Sequence, residues 1–297
     1  MTDTLSQFST AVSARAAAAA PLVAAIKLLD DRHLTATLWR ADLLVASDQA
    51  LPSREQFDVV LPGGNKTSAT VIGRDAGTNV ALLKLAQPVS LTAPSHAAPA
   101  IGAIALAIGS DGAGGPTARL GIVNQAGPEW VSSRGGRIDR RIIIDANIAR
   151  SEEGGPVLDA SGALLGISTL GPRRQVLVIP AATIERVIPS LQSDGRVARG
   201  WLGVAVQPVA VPDALQEKVG QAHGFMVMSA VADGPAAKAG VVPGDIVVAI
   251  DGEPIRRYRK FASRLGPDSI GRTTELSVIR GGAIVSVKAT VAARPAA

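Results

Sequence analysis

Between residues 33 and about 190 the chain alternates short aliphatic and β-branched runs with glycine-, proline- and aspartate-rich breaks. The runs include His33–Leu38, Leu43–Ala46, Asp58–Leu61, Ser68–Ile72, Ala81–Leu85, Ile104–Ile108, Arg141–Ile144 and Ala163–Ser168. The breaks include Pro62-Gly63-Gly64, Asp75-Ala76-Gly77, Asp111-Gly112-Ala113-Gly114-Gly115 and Ser161-Gly162. Many short strands at this spacing predict a mainly β domain of paired Greek-key barrels or a sandwich. Ahead of them, Thr4–Ala20 reads as a surface helix and Leu22–Leu28 as a first strand. Ala181–Leu191, after Pro180, reads as a closing helix.

The polar stretch Gln192-Ser193-Asp194-Gly195-Arg196 marks a boundary, which gives domains over 1–192 and 199–297 with a linker at 193–198. A second pattern follows. It predicts strands Leu202–Val206, Phe225–Val231, Asp245–Ile250, Thr274–Ile279 and Val285–Val291. A variable region runs to Ala222, and short helices are expected at Pro235–Ala239 and about Tyr258–Leu265.

Composition narrows the classes. Aromatic residues make up 3% of the chain, so the cores must be built from Val, Ile, Leu and Ala. The absence of cysteine excludes disulfides, thiolate metal sites and a cysteine nucleophile. The net charge is +5; the part before residue 199 carries 18 basic and 17 acidic residues, the rest 12 and 8. A sequence pI near 10.0 invites a nucleic-acid or membrane-surface reading, but no aromatic-interleaved basic motif accompanies it. Met1–Ile26 is interrupted by Asp3 and Pro21, and its apolar part is shorter than the ~20 residues of a membrane span. The expectation is therefore a cytoplasmic protein without a membrane span.

The candidate chemistry lies in Asp145-Ala-Asn-Ile-Ala-Arg-Ser-Glu-Glu-Gly-Gly-Pro156. Chymotrypsin-like serine proteases place their nucleophile in a Gly-Asn-Ser-Gly-Gly-Pro turn whose backbone N–H groups form an oxyanion hole. Here Glu153 stands at the serine position and Ser151 at that of the leading glycine.

Further fragments extend the likeness. They are Val71-Ile72-Gly73-Arg74-Asp75, Val80–Leu85, Ala107-Ile108-Gly109, Gly121-Ile122-Val123, Gly166-Ile167 and Val178-Ile179-Pro180. Beyond the boundary come Arg199-Gly200-Trp201-Leu202-Gly203-Val204, Gly234–Gly240, Pro243–Val247 and Ile250-Asp251-Gly252. In this order the set resembles the HtrA/Deg family, trypsin-like serine proteases with a C-terminal PDZ domain, from about Leu5 to Val291. The resemblance implies a chymotrypsin-like double barrel followed by a PDZ domain.

Carried over position by position, the family's histidine falls on Gln49 of Ala46–Leu51. Its aspartate falls on Asn79 of Asn79-Val80-Ala81-Leu82, and its serine on Glu153. The former oxyanion-hole loop is Ser151, Glu152 and Gly154, where Ser151 is strained if its position needs positive φ. A glutamine amide neither takes nor returns a proton near neutral pH, and a carboxylate cannot replace an activated hydroxyl. His33, His96 and His223 fall outside the segments expected to line the cleft. Glu153 with Asp48 or Glu152 as a carboxylate pair ranks below a solvent-facing carboxylate, one salt-bridged to Arg150, Arg173 or Arg174, or one folded back onto the loop's N–H groups.

The reading that follows is of an inactive homologue, not an enzyme, that binds peptides or regulates partners through its PDZ domain. No cofactor and no metal are expected. The alternatives are an active HtrA-like serine endopeptidase in protein quality control and a basic nucleic-acid or membrane-surface binder. Partners are C-terminal or extended peptides, nucleic acid is not expected, and homo-oligomerisation stays open. The resemblance assigns carboxylate capture to Trp201, Leu202, Gly203 and Val204. Tyr258, Phe261, Ala262 and Leu265, at helical spacing, serve either as groove walls or as core.

Overall fold

A computed structural model describes residues 3–295, the side chain of Arg259 excepted. The outermost residues of the expected domains, 1–2 and 296–297, lie outside the described residues. The chain divides between Val197 and Ala198 into two compact units.

The first unit opens with helix α1 (Thr4–Ala19). Strands β1 (Val23–Lys27), β2 (His33–Arg40), β3 (Leu43–Ser47), β4 (Gln56–Val60), β5 (Lys66–Asp75) and β6 (Val80–Leu85) follow. They close a barrel in the order β1-β2-β3-β6-β5-β4, the last pairing back onto β1. A second barrel uses β7 (Ile104–Ser110) and β8 (Pro116–Gly127). After the small β9 (Trp130–Val131) and β10 (Arg137–Ile138) hairpin, it adds β11 (Arg141–Asp145), β12 (Pro156–Asp159), β13 (Leu164–Leu170) and β14 (Val176–Pro180). Its order is β11-β14-β13-β12-β7-β8, closed by β8 on β11. The paired-barrel expectation is thus met.

The period of two explains why several strands are apolar without interruption. On β3, Leu44 and Ala46 fill the first barrel, while Leu43 and Val45 face outward into a second core. That shared core also takes Leu82 of β6, Leu106, Ile108, Leu158, Ile167 and Ile179 of the second barrel, and the apolar stripe of helix α2 (Ala181–Asp194). A strand with both faces buried gives no alternation signal. Helix α2 runs into the stretch read as linker and stops at Gly195, whose φ of 68° is the left-handed helix-ending conformation.

The second unit contains β15 (Gly200–Trp201), β16 (Val204–Ala210), α3 (Asp213–Val219), β17 (His223–Ala230), α4 (Pro235–Lys238) and β18 (Ile246–Ile250). It continues with β19 (Glu253–Pro254), α5 (Tyr258–Ser263), β20 (Thr273–Arg280), β21 (Ala283–Thr290) and β22 (Ala292–Ala293). The sheet runs β16-β17-β18-β20-β21, with β19 on β18, and β15 pairs with β22. Helix α3 lies in the segment read only as variable; Asp213 sits favourably in its first turn and Gly220 ends it at φ 67°. Asp245, buried at the entry to β18, accepts hydrogen bonds from Arg280 Nε and Nη2 at 2.8 and 2.7 Å and from the Val242 amide at 2.9 Å. Burial alone pushes this carboxyl's pKa up, but the Arg280 and Val242 hydrogen bonds and the Arg280 charge outweigh it and hold the pKa below the ordinary value. Among the described residues, no helix is long and apolar enough to cross a membrane.

Candidate functional site

Gln49, Asn79 and Glu153 come from three separate segments and meet in one hydrogen-bonded cluster. Ser47 is two residues beyond Val45 on the same face of β3, and Thr169 is two beyond Ile167 on β13. Both therefore continue faces that line the shared core, with hydroxyls in place of methyl groups. Glu153 is buried, and its Oε1 accepts from the Ser47 hydroxyl at 2.8 Å, the Thr169 hydroxyl at 2.7 Å and Gln49 Nε2 at 2.5 Å. Asn79 Nδ2 donates to Ser47 Oγ at 3.0 Å and to Thr169 Oγ1 at 2.8 Å, while its Oδ1 accepts the Gln49 amide at 2.7 Å. Gln49 Nε2 also reaches Thr169 Oγ1 at 2.9 Å and the Leu170 carbonyl at 2.8 Å.

The donors form an ordered sequence. The Asn79 amide donates to both hydroxyls, each hydroxyl passes its own hydrogen to Glu153, and the carboxylate ends the relay. A buried network in which each donor has an acceptor is stabilising, whereas a half-satisfied one is costly. Asn79 holds this place with φ 62°, a left-handed conformation that asparagine tolerates better than most residues. Ser47 and Thr169 were absent from the sequence-based set. The available signal was a polar residue closing an apolar face at the end of each strand.

The preceding loop is fastened from the first barrel. Thr35 donates to the Ser151 carbonyl at 2.7 Å and Thr37 to the Gly154 carbonyl at 2.8 Å. Glu152 is buried and accepts from the Ala149 amide and the Thr117 hydroxyl, both at 2.7 Å, and from Arg119 Nε at 3.1 Å. Burial would raise its pKa, but these hydrogen bonds and the Arg119 charge hold it below the ordinary glutamate value. Asp48 turns away toward Arg74 at 3.3 Å; its pKa is raised, because burial outweighs the arginine's hydrogen bond and charge.

Three sequence expectations are corrected here. Glu153 pairs with none of Arg150, Arg173 and Arg174; amide and hydroxyl donors already fill its inner oxygen. It does not fold back onto the loop's N–H groups either, because those of Glu152, Glu153, Gly154 and Gly155 bond to the carbonyls of Ala149, Arg150, Ser168 and Glu152. Ser151 is not at positive φ; the left-handed residue of the loop is Gly154, at φ 93°. The carboxylates of Asp48 and Glu152 engage arginines on other elements, so neither forms a pair with Glu153.

An open cavity of about 720 Å³ lies over this cluster, lined by Gln49 and Glu153 together with His33, Ser151 and three arginines. His33 is thus in the cleft, contrary to expectation, because it begins β2 beside the loop that β2 fastens. Its Nε2 lies 2.9 Å from the Ser110 carbonyl, which accepts only, so this nitrogen carries the hydrogen. His96 packs near Trp39, at 5.9 Å between ring centroids, and His223 is an exposed residue of the second unit.

In the second unit, Gly203 has φ 76°, and a Cβ there would meet the Trp201 ring at 3.1 Å. The carbonyls of Leu202 and Gly203 are held by the amides of Ala236 and Val231 at 2.9 and 2.7 Å. Leu202 itself belongs to the core. Val204 opens β16, which pairs with β17 on one side and is an edge of the sheet on the other. Phe261 is buried in the core and Leu265 packs partly against it, whereas Tyr258 is exposed and stacks on Phe261 at 6.3 Å. Ala262 is half-buried.

Residues 34–167 match the trypsin-like peptidase domain family and residues 200–291 the PDZ domain family. The chain has the HtrA architecture. It is 31% identical over 261 residues to the probable periplasmic serine endoprotease DegP-like of Rhizobium meliloti, covering 85% of this chain and 51% of that protein. It is 28% identical over 253 residues to the periplasmic serine endoprotease DegP of Salmonella typhimurium, covering 82% and 53%. The chain spans about half the length of these curated relatives. The solved HtrA-type protease AlgW with decapeptide superposes with a TM-score of 0.74 at 26% identity, over 96% of this chain and 99% of that one.

Two expectations are overturned by these relatives. They are named serine endoproteases, which contradicts the reading of the chain as not an enzyme. They are named periplasmic, which contradicts the cytoplasmic placement.

Proposed function

We propose that this chain is a periplasmic HtrA-type protein that recruits polypeptides by taking their C-terminal segments as an added strand on β16. The observation that carries this reading is the unpaired edge of β16 beginning directly after the left-handed Gly203. An edge strand offers main-chain donors and acceptors to an extended peptide, and a turn at its start can bind the terminal carboxylate with backbone N–H groups. Trp201, Leu202, Gly203 and Val204 form that turn in this reading. Tyr258 and Ala262 of α5 flank the peptide, while Phe261 and Leu265 support them from the core. Amidating a C-terminal peptide is expected to weaken its binding by about 1.5 kcal/mol or more, since charge-assisted hydrogen bonds are lost. Calorimetric titration of the acid and amide forms checks this, and equal affinities would overturn carboxylate capture.

In the same reading Gln49, Asn79 and Glu153 occupy the family's triad positions, supported by their convergence from the three nominated segments. The names of the relatives favour a second reading, endoproteolysis in the cleft. Peptide hydrolysis by a serine mechanism requires a hydroxyl nucleophile and a base. Ser151 and His33 supply those chemical groups along the cavity. Casein digestion by the wild-type chain, lost in both Ser151→Ala and His33→Gln, supports this assignment. Digestion untouched by either change places the chemistry elsewhere, and no digestion leaves peptide recruitment as the function.

A further inference from the structure

We propose that the cavity over Glu153 seats an acidic side chain of an extended polypeptide. This goes beyond recruitment at β16 and rests on that reading only for the class of ligand, a polypeptide. Arg32, Arg150 and Arg174 line the opening, against the single carboxylate of Glu153, whose Oε1 already accepts three hydrogen bonds. Among the described residues the one ion-pair partner of Arg32 is the exposed Asp30, at 3.7 Å. Arg150 and Arg174 form no ion pair among the described residues. Guanidinium groups in such a position favour a planar carboxylate, which can accept from them in pairs.

The backbone supplies a second observation. Arg173 and Arg174, at φ 55° and 60°, are the central residues of the β13–β14 hairpin turn closed by the Gln175 amide on the Pro172 carbonyl at 3.3 Å, a turn that takes left-handed φ at both positions. This tight turn leaves Arg174 lining the cavity. Leu28, Leu34, Ala50 and Leu170 add apolar surface between these polar groups. A volume of about 720 Å³ exceeds one side chain, so the cavity suits an acidic residue flanked by an aliphatic one.

The test uses the full chain and two peptides, acetyl-Ala-Val-Glu-Glu-Val-Ala amide and its Gln-Gln counterpart. Both are blocked at the C-terminus, so carboxylate capture at β16 plays no part. Fluorescence anisotropy is expected to show the glutamate peptide binding about tenfold tighter or more, with the preference shrinking as salt rises. In the triple variant Arg32→Gln/Arg150→Gln/Arg174→Gln the ratio is expected to fall to about one, while the chemical-denaturation midpoint of the first unit stays at its wild-type value, showing an intact fold. A ratio near one in wild type overturns the proposal. So does a preference that survives the triple substitution, which would transfer charge reading to Arg256, Arg257 and Lys260 of the second unit. Failure of a free-acid C-terminal peptide to bind wild type would count against the β16 reading alone and leave the blocked-peptide comparison intact.

Discussion

Replacing Gly155 by alanine is expected to destabilise the first unit by on the order of 3 kcal/mol, the upper part of the range for overpacking a tight interior. A Cβ built on Gly155 falls on the carbonyl oxygen of Ile108, and it also meets the Thr35 methyl group at 3.1 Å. The obstacle is backbone of β7, which cannot swing aside as a long side chain does. The penalty comes from proximity, since Gly155 has no left-handed φ to lose. Its neighbour Gly154 combines both constraints, with φ 93° and a Cβ that would meet the Thr35 carbonyl. The two glycines thus let the loop of Glu153 lie flat between the barrels. Gly127→Ala serves as the control, because a Cβ there meets Arg141 Cβ at an ordinary 3.4 Å. Chemical denaturation should separate the two, with Gly127→Ala within about 0.5 kcal/mol of wild type. A Gly155→Ala midpoint equal to that of the control would show that β7 yields.

The fold was legible because its signals are local or ordered. Turn residues divide the first unit into strands, and the closing helix has its apolar stripe at helical spacing. Edges were less legible: Gly195 ends α2, yet the polar residues before it read as linker because they occupy the helix's exposed face. Helix α3 was missed because Pro212 and Gly220 bound only seven residues, too few for a period to show.

At the site, the sequence nominated Gln49, Asn79 and Glu153 through their positions, but not what each bonds. Charge complementarity alone pointed Glu153 to Arg150, Arg173 or Arg174. The folded chain instead brings it to Ser47 and Thr169, which lie 106 and 16 residues away. Such partners are set by strand register between two barrels, and no local pattern encodes that. His33 was placed outside the cleft for the same reason: its strand was foreseen, its proximity to the 150–155 loop was not.

Truncating Glu153 to alanine is expected to cost about 2–3 kcal/mol, because three donors lose one buried acceptor together. The Ser47 and Thr169 oxygens lie 3.2 Å apart, so one hydroxyl can turn its hydrogen onto the other, but the second hydroxyl then has lost its carboxylate acceptor. Glu153→Gln retains a carbonyl oxygen at the same spot while removing the charge that strengthens each bond. It is expected to cost about 1 kcal/mol. The order of the two variants therefore reports whether the oxygen or merely the bulk of the side chain matters. Thr169→Val completes a cycle: if the threonine acts through Glu153, the double variant Thr169→Val/Glu153→Ala loses less than the sum of the singles. Denaturation midpoints for the four proteins decide it. Additive losses would show that Thr169 and Glu153 act separately, and a Glu153→Ala deficit under about 0.5 kcal/mol would mean that water from the open cavity replaces the carboxylate without penalty.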